Sequence, residues 1–267
     1  MTKYFSIFKI SFAQEFAYRL NFIMWRVRNV MQVILVYFLW GSVFSDPSRQ
    51  VFGYDRERIL TYIFGILVLR AIVISAKVVE MSAEISDGRI INYLLKPVNY
   101  FKYWASRDVA SKTLNLSFAA VELVVLYFIF KPQIFLQTNL FTLCIFVFSV
   151  GIALVLYFCL LFLVNLPTFW WPENGWAFQF LFMVVILEFL SGSVFPLDIF
   201  PSVLQKILYF LPAPYLLFFP LQVYLGKLSG LDLVKGLGIS CAWILVLLVA
   251  IKIIWQKGLR AYSAEGR

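Results

Sequence analysis

Three ionisable residues stand inside runs of apolar sequence: Arg70, Glu122 and Glu188. A charge at the centre of a bilayer costs at least about 2.5–3.5 kcal/mol on insertion scales, so such groups face a bundle interior or a water-filled cavity. They can line a passage for a polar cargo or relay an ion, or an arginine and a carboxylate can simply pair and hold helices together. A third placement, close to an interface, suits Glu122 and Glu188 better than the more central Arg70.

Catalytic chemistry has no foothold. Histidine is absent from the 267 residues, which removes imidazole acid/base catalysis, Ser-His-Asp triads and His metal sites. The Gly226-Lys227 pair is followed by Leu228 and lacks the upstream glycine of a phosphate-cradling loop. There is no HExxH, no GxSxG and no acidic metal cluster, so no catalytic residue, metal or resident cofactor is expected. Cys144, Cys159 and Cys241 lie in apolar segments without metal-like spacing and read as small core residues.

The elements that position these charges must be membrane helices. Hydrophobic residues make up 62% of the chain, charged ones only 14%, and the mean hydropathy is +0.86, whereas soluble domains carry roughly a quarter charged residues. Apolar spans are expected at 22–45, 58–79, 110–130, 140–165, 176–197 and 236–255, each long enough to cross a hydrocarbon core of about 30 Å. The fold class is therefore all-α, a polytopic membrane protein with about six transmembrane helices. A seventh crossing at 207–226 would place the charged carboxyl-terminal tail on the opposite side.

Orientation follows from Lys and Arg. One side carries Lys3, Lys9, Arg19, Arg26, Arg28, Lys77, Arg89, Lys96, Lys102, Arg107, Lys112, Lys252, Lys257, Arg260 and Arg267. The other carries Arg49, Arg56, Arg58, Lys131, Lys206, Lys227 and Lys235. The positive-inside bias puts both termini in the cytoplasm. The net charge of +9 is spread along these flanks rather than gathered in an aromatic-interleaved patch, which argues for anionic lipid and against nucleic acid. Charges at Lys3, Lys9, Glu15 and Arg19 interrupt any signal-peptide core, so the amino terminus is expected to stay on the chain.

Three segments break the pattern of spans. Residues 3–20 place Phe5, Phe8, Phe12 and Phe16 on one helical stripe, suited to the membrane interface, with Lys9 near the stripe and forced to snorkel. The interval 80–112 is too polar for membrane, and its 80–105 core forms a cytoplasmic loop. There Asp87 and Gly88 punctuate the chain, Ile90/Leu94 and Ile91/Leu95 pair at i,i+4, and Pro97 ends the helix after Lys96. That short amphipathic helix either rests on headgroups or docks a soluble partner. Residues 198–226 hold no straight span, because Pro196, Pro201, Pro212, Pro214 and Pro220 crowd this region; broken helices dipping into the outer leaflet are expected. Trp170, Trp171 and Trp176 read as a headgroup-level anchor.

DGRIINYLLKPVNY at 87–100, SGSVFPLDIFP at 191–201 with ILYFLPAPY at 207–215, and GLRAYSAEGR at 258–267 resemble the type-2 permeases of ATP-binding cassette (ABC) exporters. The likeness is to the bacterial branch often encoded with a second permease and an ATPase. It implies an amino-terminal interfacial helix, six spans, a coupling helix in the first cytoplasmic loop and re-entrant helices before the last span. The implied ATPase-docking residues are Gly88, Arg89, Leu94, Leu95, Lys96 and Pro97, with Ile90 and Ile91 on the buried face. Phe195, Pro196, Pro201, Pro212 and Pro214 would form a re-entrant gate. ATP and Mg would belong to a separate ABC ATPase, a second permease would complete the pathway, with a heterodimer favoured over a homodimer, and the site of action would be the bacterial inner membrane. A self-sufficient secondary transporter using Arg70, Glu122 and Glu188, or a scaffold that only recruits a partner, are the alternatives.

Overall fold

The computed structural model describes residues 2–17, 19–44, 50–228 and 230–262. Arg49, Arg267 and the last five residues of the GLRAYSAEGR stretch lie outside these, as do the side chains of Phe16 and Arg19. The described chain is helical throughout, with one isolated bridge between Val51 and Tyr54 in place of any sheet.

Helix α1, Thr2–Ala17, packs along the later helix α6, Tyr100–Phe130. Its phenylalanine stripe is a stack, Phe5 on Phe8 at 6.3 Å and Phe8 on Phe12 at 6.1 Å between ring centroids. Lys9 resolves its conflict with the stripe by lying over the Phe5 ring at 4.8 Å, where a cation is attracted to the π face.

Helix α2 covers Arg19–Val43 and α3 covers Arg56–Leu69. Asp55 caps α3 by accepting from Arg58 N at 2.8 Å. The chain then widens into a π-helical stretch, Arg70–Ile74, and breaks at Ser75 and Ala76. The expected straight span 58–79 is thus bent, by 47° between 56–74 and 77–86. The half-buried Lys112 ammonium explains how the break is tolerated: it donates to Val73 O at 2.9 Å and Ser75 O at 2.5 Å, satisfying carbonyls that the helix abandons. Short helices α4, Met81–Ser86, and α5, Ile91–Leu94, lead into α6. Asn99 caps α6 by accepting from Lys102 N at 3.0 Å.

Helix α7, Leu140–Asn165, is followed by a composite span at 172–190 made of α8, Gly175–Phe180, a second π-helical stretch, Leu181–Leu187, and α9, Glu188–Leu190. This span stops seven residues short of the expected 197, because Ser191 turns its hydroxyl back onto Leu187 O and Gly192 takes φ +80°. Helices α10, Ser202–Phe210, and α11, Phe218–Tyr224, are two short pieces in the proline-rich segment, and α12, Gly230–Ala261, closes the chain.

Among the described residues, α6, α7, the composite 172–190 and α12 are each long and apolar enough to cross a bilayer, and the bent 56–86 pair makes a fifth. Helix α2 has the length, about 38 Å for 25 residues. Its apolar run is interrupted by Arg26, Arg28, Asn29 and Gln32. The cysteine expectation needs correction: Cys159 is buried, but Cys144 and Cys241 are exposed, since the outward faces of α7 and α12 are as apolar as their inward ones.

Candidate functional site

The segment between the bend and α6 is built as a firm base with an apolar tip. Gly88 adopts φ +73°, a left-handed turn open to glycine, and Ile90 beyond it is completely buried. Glu84 anchors the base. Its backbone oxygen accepts from Ile90 N at 3.1 Å, and its carboxylate accepts from the Tyr100 hydroxyl at 3.0 Å and from Arg107 at 3.5 Å. Arg107 also reaches Glu80 at 2.8 Å and lies over the Trp104 ring at 4.7 Å. The Tyr93 and Tyr103 hydroxyls bond at 2.8 Å.

On this base the tip departs from the expected pattern in two respects. Ile90 supplies the buried contact and Ile91 is only half-buried, while Leu94 is 43% and Leu95 82% exposed. The helix ends at Leu94 instead of Lys96, because the residue before Pro97 is pushed out of helical geometry. Arg89, Lys96 and Pro97 are exposed beside it, with Arg89 held by Asp87 at 2.7 Å. Helix α1 reaches the same turn: Lys3 Nζ donates to Pro97 O at 2.8 Å, and Lys77 bonds to Glu15 at 3.2 Å.

The tip is wired to the spans. Ser86 Oγ donates to Pro172 O at 2.8 Å, at the start of the composite span. Gln179 Nε2 donates to Val79 O at 2.7 Å, Ser82 Oγ at 2.6 Å and Asn165 Oδ1 at 2.5 Å. Ser86 and Gln179 thus tie the 77–97 segment to the composite span that carries Glu188, one of the three intramembrane charges.

Those charges are paired. Arg70 binds Glu188 through both guanidinium arms, at 2.9 and 2.7 Å. Glu122 is bound by Arg26, whose Nε donates at 2.6 Å, and Arg26 also reaches Asn115 at 3.5 Å. Sequence reasoning placed Arg26 among the flanking cytoplasmic charges; it is buried. Its position on the same helical face as Asn29 was the available signal. Among the described residues no group of carboxylates or cysteines is arranged to hold a metal ion.

At the far end, the proline-rich segment is seated by a polar cluster that no local pattern announces. Tyr54 donates to Asp198 at 3.1 and 2.9 Å and accepts from Gln222; Lys227 pairs with Asp198 at 2.8 Å and lies 3.2 Å from the Tyr54 ring centroid. Burial, with the Asp198 carboxylate beside it, pushes the Tyr54 hydroxyl well above the usual phenol range, so it remains a donor. Of the expected gate residues, Pro196 and Pro214 are buried, Phe195 and Pro212 half-buried and Pro201 exposed. Phe195 packs edge-on against Phe200 at 5.3 Å.

The family described as ABC-2 family transporter protein matches residues 30–266, from within α2 to the end of α12 and beyond. The chain belongs to that family. It is a membrane permease component of an ABC transporter, and the resemblance read from 87–100, 191–215 and 258–267 is borne out at that level. No curated protein matches the chain. Within the permease, the matched region contains the 77–97 segment, the Arg70–Glu188 pair and the proline-rich seat together.

Proposed function

We propose that this permease is the membrane subunit of a bacterial exporter, driven by separate ATP-binding subunits that dock on 87–97 and bind ATP and Mg themselves. A second permease, as a heterodimeric partner, encloses the pathway with it in the inner membrane, both termini in the cytoplasm. The observation that carries this reading is the exposed Leu94–Leu95 tip on a base braced by Glu84, Tyr100 and Arg107. A rigid support under bare leucines suits a partner that must transmit force, since an exposed apolar anchor in a polar surround marks a docking site. Nucleotide-driven closure of the partner moves the tip, Ser86 and Gln179 carry the movement to the composite span, and the pathway between the two permeases opens outward past the proline-rich segment.

Replacing both tip leucines, Leu94→Asp with Leu95→Asp, tests the docking role. Exposed substitutions of this kind alter stability by about 0.5 kcal/mol or less, so the permease is expected to fold and elute normally. Recovery of the ATP-binding subunit with the tagged permease should fall at least tenfold. Undiminished recovery would remove 87–97 as the docking element.

A further inference from the structure

Donors from α2, the π-helical end of α3 and the loop after α9 converge on one carboxylate. Glu188 accepts from both arms of Arg70, from Gln32 Nε2 at 3.1 Å and from Ser193 Oγ at 2.8 Å, with the Arg28 guanidinium at 3.7 Å. Asn29, Gln32, Arg70 and Ser193 border a recess whose remaining walls include Val36 and Ile66. Its internal volume is about 10 Å³, room for about one water molecule. Arg70 begins one π-helical stretch and Glu188 directly follows the other.

We propose that the donors bordering this recess are the headgroup site for an anionic amphiphile, and that Glu188, which Arg70, Gln32 and Ser193 now hold, is a resident anion that the substrate's phosphate or carboxylate replaces. A planar guanidinium with neighbouring amide and hydroxyl donors is the set that recognises an oxyanion. There is no space for a headgroup beside Glu188, so a ligand must take its place. Exchanging one anion for another keeps Arg70 paired throughout, and the half-exposed Arg28, 3.7 Å from Glu188, stays beside the displaced carboxylate, which limits the cost of a bare charge. π-Helical turns, which are frequent at functional sites, sit on both helices that must part to let Glu188 swing out; the Glu188 span is tied to Val79 and Ser82 through Gln179, and the Arg70 stretch runs on along the chain into the same segment.

That the bound molecule is cargo rests on the exporter reading; the binding itself does not. The test uses the full-length permease alone in phosphatidylcholine nanodiscs, with dodecyl phosphate and laurate as the anionic probes and dodecyl trimethylammonium and dodecyl maltoside as controls. Glu188→Gln removes the resident anion and leaves Arg70 waiting. It is expected to melt lower than wild type, to be restored selectively by the anionic probes, and to bind them at least tenfold more tightly than wild type. Arg70→Gln should show no saturable anionic binding. Gln32→Leu keeps the ion pair and should bind the anions several-fold more weakly, which keeps the test open if Glu188→Gln does not fold. Preference for dodecyl phosphate over laurate, or the reverse, separates the two headgroup sources. Equal response of all variants to all probes, or destabilised Glu188→Gln that no anion restores, would overturn the proposal. Loss of ATPase coupling would leave it standing, and failure of binding would leave the docking of 87–97 untouched.

Discussion

Arg70→Met is expected to destabilise the permease by about 3–5 kcal/mol, the cost of stranding one partner of a buried ion pair. Both side chains are largely shielded, 11% exposed for Arg70 and 16% for Glu188. Methionine fills much of the stem volume, so the loss is of charge and donors rather than packing. Gln32 and Ser193 would remain as the direct donors on this carboxylate, with only the half-exposed Arg28 guanidinium, 3.7 Å away, to balance its charge. Adding Glu188→Leu should restore most of the lost stability, because an apolar pair replaces two costly desolvations. The thermal midpoint of detergent-solubilised protein, followed by size-exclusion fluorescence, measures both. Additive losses in the double variant would show that the two side chains act separately. The restored double variant is still expected to lose anionic-amphiphile binding, which separates a helix clamp from a ligand site.

Gly192→Val is expected to cost about 2–5 kcal/mol, the sum of a left-handed backbone imposed on a side chain at about 1–2 kcal/mol and overpacking at about 1–3 kcal/mol. Gly192 sits at φ +80°, and a Cβ there would lie 2.7 Å from the Tyr62 hydroxyl and 2.9 Å from Phe218 Cβ. The same glycine's carbonyl accepts the Tyr62 hydroxyl at 2.5 Å, and Phe218 N donates to the neighbouring Ser191 O at 3.1 Å. These contacts seat α11 and the proline-rich segment on α3. Gly53→Ala is the control: its φ is +72° but nothing stands within 4 Å of the added carbon, so only the backbone cost of about 1–2 kcal/mol applies. Limited proteolysis between 198 and 216 should accelerate in Gly192→Val and stay unchanged in Gly53→Ala. Equal behaviour of the two would mean that the Tyr62–Gly192 contact does not hold the segment.

Much of this architecture was legible because a bilayer leaves few options. An apolar block of some twenty residues must be a helix, and five prolines after residue 195 must break one. Asp87, Gly88 and Pro97 marked both ends of the tip segment, and the mutual interest of Arg70 and a carboxylate followed from what a buried charge costs. The misses share a cause. Arg26 looked like a flanking charge because position along the chain does not give depth in the membrane; the pairing with Glu122 spans 96 residues. Tyr54 meets Asp198 across 144 residues, beyond any local periodicity. Leu94 and Leu95 were assigned to docking, and Ile91 with Ile90 to the buried face, through resemblance; the i,i+4 pattern put all four on one face, and Pro97 alone set the helix end at Lys96. A one-turn helix buries by tertiary fit, and heptad-like spacing cannot resolve its faces. The π-helical stretches left no mark, since widening a helix by one residue per turn alters no composition.

The docking of an ATP-binding subunit on the 87–97 tip is tested most directly by a photocrosslinking amino acid placed at Leu95 in native membranes. Ultraviolet light should join the permease to a soluble subunit bearing nucleotide-binding motifs, with yield that changes when ATP is trapped. The same probe at Leu136, which is 73% exposed on the connection between α6 and α7, should capture no such subunit. Crosslinks from position 95 only to lipid, or to a protein without nucleotide-binding motifs, would contradict the coupling role.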